Sequence, residues 1–144
     1  MKTYYSKNTD ETEQIAAEFA QQLHSGDVIA YRGEMGAGKT AFTRGLCRGL
    51  GLDDPVSSPT FALVHQYGHG DRALYHFDMY RVNNFDDLYS TGFFDYLDCG
   101  GILAIEWSEN IDNVLPPETI YVTLNKVEDE PDYREIVIEG DGRF

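Results

Sequence analysis

The eight residues from Gly33 to Thr40 constrain the fold of this chain more than any other stretch. They read GEMGAGKT and match the pattern G-x-x-x-x-G-K-[ST] in full. Glycines let the backbone turn its N–H groups toward one point, where they form a concave nest for phosphate oxygens. Such a loop joins a strand to a helix, and the apolar run 28–31 and the helical pattern 41–50 meet that requirement. The sequence therefore predicts a phosphate-binding loop in which Lys39 reaches phosphate and Thr40 reaches Mg²⁺.

Length, charge and hydropathy bound the class of protein. A chain of 144 residues is expected to form one domain, residues 1–144, and its apolar runs are far shorter than the roughly 20 residues of a membrane span. The N-terminal segment has no apolar stretch of the kind that marks a secretory signal, so we expect a cytoplasmic protein. With 25 acidic against 11 basic residues, the net charge of −14 argues against a chain that holds a nucleic-acid backbone by itself. Basic protein partners suit this charge better.

The rest of the chain alternates between helix and strand patterns. A helical stripe of apolar residues ends at Leu23 and starts at a cap offered by Asn8, Thr9 or Asp10, with Asp10 and Glu13 at capping-box spacing. Thr9 has a second interpretation, because residues 9–12 are also placed to contact a bound base. One or two short helices are expected within 83–101, and strands are expected at 2–6, 28–31, 61–67, 73–77, 102–105, 120–124 and 133–138. This order predicts an α/β fold, a single P-loop NTPase-like domain with a mixed, mostly parallel sheet flanked by helices.

Two acidic residues close apolar strands. ALYHFD ends at Asp78 and GILAIE ends at Glu106, and the unbroken apolar run of the second predicts burial on both faces of the sheet. A phosphate loop needs a further acid that binds the metal or orients water, at the carboxyl end of a neighbouring strand. Each acid taken alone also fits a helix cap or a solvated strand end. Beside an intact phosphate loop we predict that both are functional, and the sequence leaves open which of them touches the metal directly.

Two further features fit either a site or ordinary structure. Ser58 and Thr60 lie in the turn-rich segment SSPTF, where a threonine can sense a γ-phosphate, and a proline-led turn accounts for the same residues equally well. Trp107 is the only tryptophan and follows Glu106, so it is expected at the mouth of the crevice. It either stacks on a base there or closes the edge of the core.

The motifs GEMGAGKT, SPTF, YHFDMYR and IEWSE, in this order and spacing, resemble those of the TsaE family, also called YjeE. The resemblance covers residues 9–124, and the ordered set is more specific than the phosphate loop alone. Proteins of this family are bacterial ATPases required for threonylcarbamoyl modification of the adenosine beside the anticodon in certain tRNAs. The resemblance implies a small P-loop α/β fold that binds ATP with Mg²⁺ and works with two partners, the threonylcarbamoyl transferase TsaD and its inactive paralogue TsaB. The partners would then hold the tRNA, which fits the charge of −14.

The same resemblance implies roles for individual residues. By this resemblance Thr40 and Glu106 would hold Mg²⁺, and Asp78 would be an essential acid near the metal. Lys39 would complete the catalytic set, and Thr60 would be a switch residue. The residues expected to contact the nucleotide are Thr9, Glu34, Met35, Gly36, Ala37, Gly38, Lys39, Thr40, Ala41 and Trp107.

The arginines bear on the expected rate of ATP hydrolysis. Phosphoryl transfer depends on positioning and positive charge, and a missing arginine finger costs roughly 10³–10⁵ in rate. Arg32, Arg44 and Arg81 are candidate donors within the chain, and their spacing singles out none of them. We therefore predict weak ATPase activity for the protein alone and stimulation by its partners.

Three alternative functions compete with this interpretation. A GTPase is suggested by the tetrad NKVE at 125–128, which nearly matches the guanine-reading N-K-x-D after a strand, although Glu128 is one methylene too long. A non-catalytic adaptor would use bound ATP only to order the loop around Thr60. A small-molecule kinase would need an arginine-rich lid, and residues 83–101 contain no arginine.

Overall fold

A computed structural model describes residues 1–34, 36–53, 64–140 and 142–144 of the chain. Within these residues the helices are α1 (Thr9–Ala20), α2 (Lys39–Gly49), α3 (Phe85–Ser90) and α4 (Phe93–Leu97), and 3-10 turns cover Gly70–Arg72 and Ser108–Val114. The strands are β1 (Lys2–Ser6), β2 (Val28–Gly33), β3 (Val64–Tyr67), β4 (Leu74–Asp78), β5 (Ile102–Glu106), β6 (Ile120–Val127) and β7 (Glu130–Glu139). The predicted elements are confirmed to within a few residues at most ends, and residues 61–63 of the third predicted strand lie outside the described residues.

The described strands form one sheet in the order β1-β7-β6-β2-β5-β4-β3. The four central strands β6, β2, β5 and β4 are parallel, whereas β3 and β7 run antiparallel to their neighbours. Because β1 is antiparallel to β7, it points the same way as the central four, so five of the seven strands share one direction. The prediction of a mixed, mostly parallel sheet is confirmed, and the carboxyl ends of β2, β4 and β5 meet at one edge.

Helices cover the sheet on both faces. Helices α1 and α2 pack on what we call the long-helix face, and α3, α4 and the turn at Ser108–Val114 pack on the short-helix face. Along β5, Ile102 and Ala104 belong to the first core, and Leu103 and Ile105 belong to the second. The predicted burial of this strand on both faces is therefore confirmed, and it explains why its sequence does not alternate.

Glycines bring the two helices of the long-helix face close together. A Cβ at Gly45 would lie 2.3 Å from the carbonyl oxygen of Glu13, and a Cβ at Gly49 would lie 2.4 Å from that of Ala17. Since the later glycine meets the later residue, α1 and α2 run in the same direction. Both helix N-termini consequently point to the edge where the parallel strands end.

The N-terminal cap of α1 is Asn8, one of the three candidates that the sequence offered. Asn8 has an extended backbone, with a φ of −163°, and its side chain accepts a hydrogen bond of 2.9 Å from the Glu11 N–H. The Glu11 carboxylate in turn accepts from the Lys7 N–H at 2.9 Å. The predicted pair of Asp10 and Glu13 is wrong, because Asp10 already lies inside the first turn and only an extended residue can act as the cap.

Strand β6 runs further than predicted. It continues through residues 125–127 and pairs with β7 across a turn in which Asp129 has a φ of 65°. The amide of Asn125 donates across the hairpin to Glu135 Oε1 at 3.2 Å. The expectation that the tetrad NKVE follows a strand, as a guanine-reading loop does, is therefore wrong.

Candidate functional site

A cleft of about 370 Å³ opens where the central strands end and the long helices begin. This volume lies in the range of small-molecule sites, roughly 300–1,000 Å³. The described residues that line it are Thr9, Gly36, Gly38, Lys39, Thr40, Ala41, Arg44, Glu106 and Trp107. The cleft thus brings together most of the predicted nucleotide-binding residues and both predicted metal ligands.

For five predicted residues the structure gives no contact with the cleft. Glu34 and Ala37 are not among the lining residues: the Ala37 side chain is buried in the core, and its N–H donates to the Glu34 carbonyl at 3.1 Å. Met35, Ser58 and Thr60 lie outside the described residues. The predictions for these five residues stay predictions.

The loop backbone has a conformation that suits glycine. Gly33, Gly36 and Gly38 have φ angles of 117°, 77° and 107°, in the region that side chains disfavour. At Gly33 space is also lacking, because a Cβ there would lie 2.0 Å from the Leu124 carbonyl oxygen on β6. The start of the loop is therefore pressed against the neighbouring strand, which fixes where the next residues enter the cleft.

Helix α2 begins at the cleft without a side-chain cap. Gly38 precedes its first residue, Lys39, and offers no side-chain hydrogen bond to the first turn. The first N–H groups of a helix have no partner within the helix, and together with its dipole they favour an anion. This end of α2 therefore presents positive charge to the same space that Lys39 and Thr40 line.

Trp107 has a strained backbone beside this positive charge. Its φ of 59° and ψ of 37° are unusual for a bulky residue. The backbone is held on both sides of it: the Glu106 carbonyl accepts from the Met79 N–H at 3.0 Å, and the buried Ser108 hydroxyl donates to the Tyr31 carbonyl at 3.1 Å. The Trp107 ring lines the cleft 5.9 Å from Lys39 Nζ and also packs against the short-helix core, so it has features of both roles left open by the sequence.

A buried histidine lies against Glu106. The side chain of Glu106 is 14% exposed, and its Oε2 lies 2.5 Å from Nε2 of the fully buried His76, although the contact lacks the angles of a hydrogen bond. Because Oε2 is buried, Oε1 is the oxygen left to face the cleft. No signal in the sequence singled out His76. The missing information was the pairing of β4 with β5, which puts this histidine behind the glutamate.

Asp78 ends β4 next to Glu106, its register partner on β5. The Asp78 Oδ1 accepts a hydrogen bond of 2.9 Å from the Tyr80 N–H. Burial raises the pKa of Asp78, the charge of Glu106 raises it further, and the Tyr80 N–H partly opposes both. Asp78 is not among the described residues that line the cleft.

An arginine that the sequence did not single out contacts the loop. Arg134, on β7, donates from Nε to the Ala37 carbonyl at 3.0 Å and from Nη2 to the Gly36 carbonyl at 3.5 Å. The three arginines that the sequence offered as candidates have other surroundings. Arg32 pairs with Asp112 at 2.7 Å, Arg44 lines the cleft 3.7 Å from Glu13, and Arg81 is exposed near Asp78.

In the part of the chain that the structure describes, no helix combines the length and apolar character needed to cross a membrane.

Comparisons with known proteins point to one family. A family model described as "Threonylcarbamoyl adenosine biosynthesis protein TsaE" matches residues 6–136. Proteins named "tRNA threonylcarbamoyladenosine biosynthesis protein TsaE" are similar to the chain: that of Bacillus subtilis (strain 168) is 37% identical over 135 residues, which cover 94% of this chain and 83% of that protein. That of Treponema pallidum (strain Nichols) is 34% identical over 124 residues, which cover 86% and 91%. The crystal structure of Bacillus subtilis YdiB superimposes with a TM-score of 0.79 at 33% identity, over 98% of this chain and 86% of that one. A match that runs through the phosphate loop and both strand-ending acids shows that the chain belongs to the TsaE family.

Proposed function

We propose that this protein is a P-loop ATPase of tRNA threonylcarbamoyladenosine (t6A) biosynthesis, which binds ATP with Mg²⁺ in the cleft and hydrolyses it slowly. The observation that carries this proposal is the convergence of the phosphate loop, Thr40 and Glu106 on one cleft. The names of the similar proteins support the pathway. Neither rests on the overall fold, which many unrelated activities share.

The cleft supplies positive charge for a triphosphate in a chain whose net charge is −14. Lys39 and the uncapped start of α2 lie where β- and γ-phosphates would bind, and Arg44 adds a cation at the rim. Thr9 and Trp107 line the same space and provide contacts for the nucleoside. ATP is therefore bound with its phosphates on the loop and its base toward the ring of Trp107.

Thr40 and Glu106 fit a magnesium ion by their chemistry. Mg²⁺ prefers oxygen ligands, and a hydroxyl and a carboxylate line the same cleft beside the loop. When bound between these two residues, the ion would supply positive charge that offsets the charge of the phosphates. Glu106 is the ligand we assign because it faces the cleft, and Asp78 acts beside it, through water.

The reaction is an in-line transfer to water. A water oxygen forms a bond to the γ-phosphorus while the bond from that phosphorus to the β–γ bridging oxygen breaks. ADP keeps the bridging oxygen with its electron pair, the hydroxyl stays on inorganic phosphate, and a proton is released to solvent. Lys39 offsets negative charge on the transferred phosphoryl group, and Glu106 and Asp78 orient the attacking water. As part of the same proposal, Ser58 and Thr60 respond to the γ-phosphate.

Partners complete this site. Arg44 is the arginine among the described lining residues. Its charge is partly neutralised by an ion pair with Glu13, whose Oε2 lies 3.7 Å from Arg44 Nε. We therefore propose that a TsaD-like threonylcarbamoyl transferase and a TsaB-like paralogue raise the turnover, and that tRNA is held by these partners in the cytoplasm. Equal turnover with and without the two partners would contradict this part of the proposal.

Fluorescence of the single tryptophan tests nucleotide binding directly. In Mg²⁺, ADP is expected to change the Trp107 signal, because the ring lines the cleft. Excess GDP is expected not to compete, because the amide of Asn125 is already bonded to Glu135. A signal that GDP changes and ADP does not would overturn the ATPase assignment.

A further inference from the structure

Two cations of the β6–β7 hairpin lie over the phosphate loop. Lys126 and Arg134 are direct partners across the two antiparallel strands, so their side chains leave the sheet on the same face. That face meets the loop at Gly36 and Ala37. Neither cation belongs to the motifs that define the loop.

Arg134 is bonded only to carbonyl groups among the described residues. Its Nε and Nη2 donate to the Ala37 and Gly36 carbonyls at 3.0 and 3.5 Å, and its Nη1 donates to the carbonyls of Pro131 and Tyr133, both at 2.7 Å. Other arginines of the chain, such as Arg32 and Arg143, pair with carboxylates. Its charge is therefore fixed against the loop and is not neutralised by an acid within the described part of the chain.

The contact with Ala37 has a consequence inside the loop. A peptide unit is planar and trans, so the carbonyl of Ala37 and the N–H of Gly38 point in opposite directions. Arg134 holds this carbonyl on the hairpin side, so it also fixes the orientation of the N–H of Gly38, a residue that lines the cleft. The guanidinium thus determines the direction of an N–H group in the phosphate nest.

Lys126 brings a second charge to the same place. A Cβ added at Gly36 would lie 3.7 Å from Lys126 Nζ, and no carboxylate of the described residues lies within ion-pair distance of this exposed ammonium. Like charges directly opposite each other on two strands repel. In a chain with only 11 basic residues among 144, two adjacent cations indicate that an anion binds beside them.

We propose that Arg134 and Lys126 form a cationic brace for the phosphate loop, defined by these two residues. Arg134 is a positioning residue that holds the loop backbone in its phosphate-binding conformation, and Lys126 adds positive charge for a nucleoside di- or triphosphate. The lysine of the tetrad NKVE therefore serves the loop and does not read a base. The role of the brace in nucleotide affinity rests on the proposed function, whereas its role in loop geometry does not.

Four variants separate geometry from charge. Arg134→Met removes the donors, Arg134→Lys keeps the charge without the forked geometry, and Lys126→Met removes the second charge. Arg143→Met is the matched control, because it also removes an arginine. The Arg143 guanidinium donates to the Asp27 carboxylate at 2.8 Å, and this ion pair lies away from the phosphate loop. Two readouts are used: exchange of the Ala37 amide in nucleotide-free protein, and ADP affinity from Trp107 fluorescence in Mg²⁺.

The brace predicts a distinct pattern. Exchange of the Ala37 amide, which is bonded to Glu34, is expected to accelerate on the order of 10-fold in both Arg134 variants and not in Lys126→Met or Arg143→Met. ADP affinity is expected to fall on the order of 10-fold in Arg134→Met, nearly as much in Arg134→Lys, and less in Lys126→Met, whose affinity also becomes less sensitive to salt. Arg143→Met is expected to bind ADP like the wild type.

Two results overturn the proposal, and they differ from failure of the proposed function. Wild-type exchange at Ala37 in Arg134→Met shows that the loop needs no brace, whether or not nucleotide binds. ADP affinity in Arg134→Met that equals that of Arg143→Met shows that the brace has no part in binding. A wild-type protein that binds neither ADP nor ATP overturns the proposed function, and the exchange measurement still decides the geometric role of Arg134.

Discussion

The two faces of the sheet are covered in different ways. On the long-helix face, α1 and α2 meet through Gly45 and Gly49, where the backbone of one helix leaves no room for a methyl group on the other. On the short-helix face, α3 and α4 bury Leu88 and Phe93 but leave Phe85 and Tyr89 60% and 69% exposed. The first face aims two helix N-termini at the cleft, and the second mainly covers β4 and β5. The helices of the long-helix face are therefore closely packed where they position side chains of the cleft. The helices of the short-helix face are packed less closely, and they mainly bury the apolar side chains of the sheet.

The largest expected effect is on the rate of ATP hydrolysis, at Glu106 beside the cleft. Glu106→Gln removes the charge that we assign to Mg²⁺ binding and keeps the size of the side chain. The rate of ATP hydrolysis should fall by a factor on the order of 10²–10³, the range for loss of one preorganised electrostatic contact. Glu109→Gln, an exposed carboxylate on the short-helix side, is the matched control and should retain wild-type turnover.

The same variant separates two uses of ATP. If hydrolysis only resets a nucleotide-gated adaptor, Glu106→Gln should still bind its partners and support one round of tRNA modification. If ATP cleavage drives the modification step, even a single round should fail. Quench measurements with the complete set of partners and tRNA distinguish the two outcomes.

The next effect tests the glycine seam. In Gly45→Ala the new methyl would lie 2.3 Å from the Glu13 carbonyl oxygen and 2.6 Å from Ala16 Cβ, so the helices must move apart. We expect a loss of roughly 1–3 kcal/mol in the free energy of unfolding, as for other overpacked sites. Because the seam also places Thr9 and Arg44, ADP affinity should fall as well. Denaturant unfolding and Trp107 fluorescence measure the two quantities.

The matching substitution on the other face is Ser90→Ala, at the exposed end of α3. Its free energy of unfolding should stay within about 0.5 kcal/mol of the wild type. If Gly45→Ala proves as mild as Ser90→Ala, the close seam does not distinguish the two faces.

Much of this arrangement follows from the sequence because it is local. GEMGAGKT dictates strand, loop and helix within one continuous stretch, and the wholly apolar run before Glu106 marks a strand buried on both sides. The prediction of the fold and the gathering of Thr9, Lys39, Glu106 and Trp107 around one cleft needed little beyond these signals and the family resemblance. Residues whose position follows from the phosphate loop or from the end of a neighbouring parallel strand are therefore within reach of sequence reasoning.

Other parts could not be predicted because they depend on pairing between distant segments. Arg134 reaches the loop only because β7 pairs with β6 and β6 pairs with β2, and no pattern near residue 134 indicates that register. His76 meets Glu106 through the pairing of β4 with β5. The error at the cap of α1 has a different cause: two pairs of residues share the capping-box spacing, and only the backbone conformation of Asn8 selects one.

The pH dependence of stability provides a smaller effect, at Asp78. Its pKa is raised in the folded protein, so over the interval from the ordinary value of 3.8 up to the raised value the folded state binds more protons than the unfolded state. Stability contributed by this group is therefore present at low pH and is lost as pH rises through that interval. Asp78→Asn cannot titrate at this position and does not lose this stability. The free energy of unfolding of the variant minus that of the wild type should therefore increase with pH over the same interval. Urea unfolding without Mg²⁺ tests this, and a difference that stays constant with pH would contradict the raised pKa.

The smallest effect compares one chemical change on the two faces. In Tyr31→Phe the long-helix core loses a buried hydroxyl that lies 2.7 Å from Thr43 Oγ1, and we expect a cost of about 1 kcal/mol in the free energy of unfolding. Tyr89→Phe removes the same hydroxyl from a ring that is 69% exposed, and its cost should stay within about 0.5 kcal/mol. Thr43 also donates to the Lys39 carbonyl at 2.8 Å, so Tyr31→Phe alone should weaken ADP binding slightly. Equal losses of stability in the two variants would mean that the buried hydroxyl of Tyr31 contributes no more than the exposed hydroxyl of Tyr89. The two faces would then differ only in how closely their helices pack.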